Sequence, residues 1–156
     1  MSEEKQLKNI NPIDNKQIVE CLYTYINSLD VGIDWSLEFL KERSPSICIK
    51  QIGSAVKTKE NIIGGYNAEL PFAVYVKNKV DDTRNTLDIT NPLNKLASLF
   101  EEETSNHCKN ISLPEMFICD SIEMTETPED VSGKNNNEAI FMALYKLSFR
   151  KKSKYS

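Results

Sequence analysis

Gly64-Gly65-Tyr66-Asn67-Ala68-Glu69-Leu70-Pro71-Phe72-Ala73-Val74-Tyr75-Val76 is the stretch on which the reading of this chain turns. Its paired glycines need backbone conformations that other residues avoid, so they mark a turn or a bulge. A phosphate cradle would require strand, loop and helix in that order, with Lys-Ser/Thr behind the glycines, and the sequence lacks it. Leu70 to Val80 then alternates as a strand does. Phe72, Val74 and Val76 share one face, and Ala73, Tyr75 and Lys77 the other. Pro71 has no amide donor, which puts this start at a sheet edge or ahead of the first pairing.

Upstream, Ile18, Leu22, Ile26 and Leu29 recur at helical spacing between Pro12 and Leu29. Proline suits the first turn, and Asp30 and Gly32 supply a stop. Ile33 to Leu40 is apolar at every second residue, which allows a strand, but Leu37, Leu40 and Lys41 also allow a short helix. Trp35 reads as an anchor in the core or at an interface. After the Ser44-Pro45-Ser46 turn, Ile47 to Ile52 reads as a strand ended by Gly53. Ala55–Lys57 and Asn61–Ile63 then flank Thr58-Lys59-Glu60 as a second strand pair or hairpin arm.

Downstream, Asn85 to Glu103 carries a helical stripe at Ile89, Leu93, Leu96 and Phe100. Pro92 interrupts it, so either two short helices meet there or one kinked helix runs through. Glu101, Glu102 and Glu103 sit where acids oppose the helix dipole, which suggests solubility or a partner as their purpose. Leu113-Pro114 opens a strand from Met116 to Thr125 that closes at Glu126-Thr127-Pro128. A polar loop over Glu129–Asn137 leads to a last strand from Ala139 to Lys151. Helices do not alternate with strands. The expected fold is therefore α+β: one domain over residues 1–156, a mostly antiparallel sheet and two main helices on one face. Residues 1–11 are expected to be a loose arm, and 152–156 a basic tail.

The chain has 156 residues and a net charge of −4, which argues against nucleic-acid binding by charge. The charge is unevenly spread. Residues 79–145 hold 5 basic and 13 acidic groups, whereas the tail from Lys146 holds five basic groups and no acid. The longest apolar run, Ala139 to Tyr145, is far short of the roughly 20 residues of a membrane helix. The start, Met1-Ser2-Glu3-Glu4-Lys5, is not a secretory signal, so a cytosol is expected unless a particle carries the chain out. Cys21, Cys48, Cys108 and Cys119 form no Cys-x-x-Cys pair and read as packed free thiols.

Reactive groups are few. His107 beside Cys108 offers at most a sparse metal or nucleophile set, and neighbours in a loop usually diverge. Acid pairs such as Asp81-Asp82 and Glu129-Asp130 sit in expected exposed turns, whereas paired catalytic carboxylates need one dry and one wet environment. Phosphate-loop, dinucleotide and serine-elbow patterns are missing. No enzyme activity, cofactor or metal is expected.

Read in order, the segments resemble one family. They are the first amphipathic helix, Trp35, Ser44-Pro45, Gly64-Gly65-Tyr66, Leu70 to Val76 and Asp82-Thr83-Arg84. Leu93 to Glu101, Leu113-Pro114, Ile122 to Pro128 and Leu144 to Lys151 follow. Over residues 15–151 this succession is similar to the minor capsid or tail-terminator proteins of tailed phages, and of phage-tail-like bacteriocins, of low-GC Gram-positive bacteria. Pro92 and the Lys134–Asn137 insertion depart from that pattern.

The resemblance implies a subunit that closes into a homo-oligomeric ring, usually of six. The ring sits on the head-proximal end of a tail tube and stops its growth. The implied partners are further copies, the tail tube protein and a sheath or connector protein, with no membrane. The implied location is the virion tail or neck, after synthesis in a bacterial cytoplasm. A head–tail connector of the same particle is the nearest alternative, and a small cytosolic binding module the next. Expected interface residues are Gly64, Gly65, Tyr66 and Asn67 in the glycine turn and Asn135 and Asn136 in the polar loop. Arg150, Lys151, Lys152 and Lys154 of the tail complete the set, facing Glu101, Glu102 and Glu103 of a neighbour.

Overall fold

The structure is a computed structural model, and it describes residues 8–37, 40, 45–61, 63–79, 86–132 and 138–153. Helix α1 (Pro12–Asn27) starts as its sequence dictates: the Asn11 side chain accepts the Ile13 N–H at 2.8 Å, and Pro12 occupies the first turn. Ile18, Leu22 and Ile26 are buried along one stripe. Past its end, the Asp30 carboxylate accepts the Gly32 N–H, with Gly32 at φ 88°. Of residues 33–40, a three-residue stretch settles as strand, and residues 38 and 39 lie outside the described residues. β1 (Trp35–Leu37) pairs in parallel with β2 (Ser46–Gln51), and the Trp35 indole N–H donates to the Leu29 carbonyl at 2.9 Å.

Strand β3 (Val56–Glu60) and strand β4 (Tyr66–Lys79) form a hairpin closed at the glycine turn. Thr58-Lys59-Glu60 thus belongs to the strand itself, and the expected break lies after it. β4 begins at Tyr66, four residues earlier than expected, and is central, not an edge. One flank pairs throughout with β6 (Glu138–Lys151). The other pairs with β3 at Tyr66–Glu69 and with β2 at Phe72–Lys77. Pro71 sits in the gap between those partners, where a missing N–H costs nothing.

Helix α2 (Thr86–Ser105) is a single helix with Pro92 inside it. Ile89, Leu93, Leu96 and Phe100 are each at most 1% exposed, and that burial offsets the lost hydrogen bond. Strand β5 (Phe117–Asp130) runs past Pro128 to Asp130 beside β6. The expected close at Glu126-Thr127-Pro128 is instead a set of register shifts, tolerated because β5 is an edge.

The sheet order is β1-β2-β4-β6-β5, with β3 paired to β4, and every pairing but β1–β2 is antiparallel. Both helices lie on one face. On β4, Tyr66 bonds Asp14 of α1, and Phe72 meets Phe100 of α2 edge-on with ring centroids 6.0 Å apart. Phe72, Phe100 and Tyr145 form the centre of the core, and the Tyr145 hydroxyl donates to the Leu93 carbonyl at 3.0 Å. Burial pushes the Tyr145 phenol well above its usual range. The fold is α+β, as its element order implies. The expected loose arm is anchored at its end: Asn9 bridges Val56, Ile10 is buried, and the Ile10 N–H bonds the Ala55 carbonyl at 3.0 Å.

Candidate functional site

One end of the molecule gathers most of the expected interface residues. The β3–β4 turn, the end of β6, the start of β5 and the first turn of α1 all meet there. The Asn61 N–H bonds the Gly65 carbonyl at 2.8 Å, and Gly64 takes φ 98°. A Cβ at Gly65 would lie 3.0 Å from both the Lys151 carbonyl oxygen and the Ser153 nitrogen, so this glycine permits a close backbone approach. The Lys152 N–H bonds the Met116 carbonyl at 2.8 Å, which brings the start of β5 to the same place.

Within this end, several residues expected on a contact surface are turned inward. Tyr66 is 5% exposed, and its hydroxyl donates to Asp14 Oδ2 at 3.2 Å. Burial, helped by the Asp14 charge, raises its phenol far above the usual range. Lys151 Nζ donates to the same Asp14 oxygen at 2.9 Å and lies over the Phe117 and Tyr66 rings, 5.5 and 5.9 Å from their centroids. Lys57 Nζ covers Tyr66 from 5.0 Å while pairing with Glu60. Arg150 Nε bonds Asp120 Oδ1 at 2.9 Å. Arg150 and Lys151 thus each have an acidic partner within the molecule, Arg150 at the exposed surface and Lys151 half-buried. Asn67 and Lys152 remain exposed.

The acidic cluster divides in the same way. Glu101 and Glu102 are exposed, but Glu103 is 5% exposed and accepts both the Asn110 N–H and its side-chain amide at 2.8 Å. It closes the loop after α2, where His107 and Cys108 take φ 61° and 54°. Glu103 is thus a structural acceptor, its buried carboxylate tying the Asn110 backbone and side chain to the end of α2. His107 is exposed and Cys108 buried. Asn135, Asn136 and Lys154 lie outside the described residues.

No family model and no curated protein matches this sequence.

Three residues that the sequence reading passed over complete this end. Ile13, Ile63 and Met116 are 69%, 52% and 39% exposed, three of the five large apolar side chains exposed among the described residues. Ile13 adjoins Asp14, Ile63 adjoins the glycine pair, and Met116 holds Lys152, so all three flank the Asp14–Tyr66–Lys151 knot. A signal existed for Ile13, which falls off the Ile18–Leu22–Ile26 stripe. Ile63 and Met116 carried none, because exposure in a loop leaves no periodic trace.

Two further surfaces stand out. The face of the sheet opposite the helices carries Ala73 and Tyr75 of β4 beside Leu144 and Met142 of β6. Lys146 spans that face to Glu69 and Glu123 at 3.3 and 3.4 Å. At the far end, about 40 Å along β4 by strand rise, an open groove of ≈ 760 Å³ is lined by Val31, Ile33, Pro45, Asn78, Asp88 and Pro92, among others. Among the described residues, no three His, Cys, Asp or Glu side chains converge to hold a metal ion. No helix there is long and apolar enough to cross a membrane. What the gathered side chains offer is contact area and charge.

Proposed function

We propose that the chain is a structural subunit of a tailed-phage or phage-tail-like particle. Like the tail terminators it resembles, it forms a ring on the head-proximal end of the tail tube and stops growth of the tube. The observation that carries this reading is the unlikeness of the two ends of the molecule. One end presents exposed apolar side chains among lysines, and the other an open groove. A ring needs two different surfaces on every subunit, because its contacts are heterologous. The α+β fold with helices on one face supports the same reading. The working part of such a protein is its outline, and the chain acts through contact with copies of itself and with the tube.

The test is electron microscopy of particles made with and without the chain. Tails that overrun their normal length in its absence are the expected result. Tails of normal length that merely lack heads would contradict it and favour a connector.

A further inference from the structure

We infer that Cys108 and Cys119 form a redox-active pair, a modification site at which a low-molecular-weight disulfide converts two thiols into a bond joining the loop after α2 to β5. The inference goes beyond the proposed assembly role and does not depend on it. Both residues are buried, at 4% and 9% exposure. Hydrogen bonds made by their neighbours bring them to one place. The Thr104 hydroxyl donates to the Ile122 carbonyl at 2.8 Å and accepts the Ile122 N–H at 3.0 Å, which fastens the last turn of α2 to β5. The Cys108 N–H bonds the Glu103 carbonyl at 2.8 Å, so the loop folds back under that turn. On β5, the register shift after Cys119 keeps Phe117, Cys119 and Ile122 all buried on the helix side. The two thiols meet between the loop and the strand, and the Cys119 S–H donates to the Cys108 sulfur. The other two cysteines lie elsewhere. Cys21 is half-buried on α1, and Cys48 pairs with Tyr75 on the face away from the helices.

The hydrogen bond from Cys119 favours a thiolate at Cys108, and the same bond, with burial, disfavours one at Cys119. Cys108 is therefore the attacking group. Its thiolate attacks one sulfur of the disulfide RSSR, and the first RS⁻ leaves and takes up the Cys108 proton. Cys119 then gives up its proton and attacks the Cys108 sulfur, which expels the second RSH. Two protein thiols lose two electrons and two protons, and RSSR becomes two RSH. Access is through the loop. His107, Lys109 and Asn110 are exposed, and His107 and Cys108 hold φ at 61° and 54°, so local opening of this turn uncovers the sulfur without global unfolding. In a reducing compartment the pair stays as thiols, and in an oxidising one it closes.

Equilibration of the reduced, folded full-length chain with oxidised glutathione tests this. The product is alkylated in denaturant and mapped by peptide mass spectrometry. Alkylation is expected to label Cys21, Cys48, Cys108 and Cys119 before oxidation, and Cys21 and Cys48 alone after it. The mapped link should join Cys108 to Cys119 within one chain, and dithiothreitol should reverse it. Closing this short loop should raise the melting temperature by at least about 5 °C. Cys119→Ser is expected to stop at a glutathione adduct on Cys108, an outcome that mere packing of two thiols would not produce. Circular dichroism establishes that this variant folds, and Cys119→Ala replaces it if it does not. Wild type that keeps all its thiols, or that stops at a glutathione adduct, overturns the inference. So does a link from Cys108 to Cys21, or a Cys108–Cys119 link that forms only in urea or lowers the melting temperature.

Discussion

Gly65 and Glu103 both act through contacts inside the molecule. The hydrogen of Gly65 faces the backbone of Lys151 and Ser153, and backbone atoms held in a sheet yield less readily than side chains. Gly65→Ala is expected to cost about 1–3 kcal/mol through overpacking, read from urea denaturation. Gly64→Ala meets no atom within 4 Å and costs about 1 kcal/mol, through its φ of 98° alone. Glu103→Ala strips two donors of Asn110 of their acceptor, and about 1–3 kcal/mol of stability should go with it in the same assay. The tyrosines set an alkaline limit. Burial raises the phenols of Tyr25, Tyr66 and Tyr145 above their ordinary value in the folded chain. A raised folded value means that the contribution is whole below the unfolded pKa of about 10 and declines as pH rises beyond it. Stability followed against pH should therefore fall above about 10, and less steeply in Tyr145→Phe. An unchanged slope would show that the buried hydroxyl does not take part.

At the scale of elements, α2 carries an interior proline that its apolar stripe overrides. Pro92→Ala returns an N–H to the helix and removes the ring from the preceding turn. The melting temperature should rise, with a gain of up to about 3 kcal/mol. A loss would mean that the proline's packing in the groove outweighs the helix penalty. Elements whose burial is one-sided were legible in the sequence: α1 from its stripe, β4 from Phe72, Val74 and Val76, and β6 from its apolar run. The two-helix, mainly antiparallel α+β class followed from their order. Pairing was not legible. Pro71 looked like an edge signal because a sequence does not show that two strands share one flank of β4. The run of β5 past Pro128 was hidden for a similar reason, since bulges at an edge accept residues that usually end strands. Within the candidate site, the meeting of the glycine turn with the last residues of β6 is long-range. The inward turn of Tyr66 and Lys151 depends on Asp14, 52 and 137 residues away in sequence.

Taken whole, the molecule is a sheet with two helices on one face and two unlike ends. One end carries the exposed Ile13, Ile63 and Met116, and the other holds an open groove lined by Asp88, Lys95 and apolar walls. Such asymmetry suits a part that repeats around an axis, with each copy giving one surface and receiving the other. The intramolecular pairs Lys151–Asp14 and Arg150–Asp120 tie the end of β6 to α1 and β5, and Ile13, Ile63 and Met116 are exposed at the same end. The most direct measurement of this account is a cryo-electron microscopy reconstruction of purified tails that contain the chain. The account predicts a closed ring of copies at the head-proximal tip of the tube. A particle in which no copy sits at that tip would contradict it.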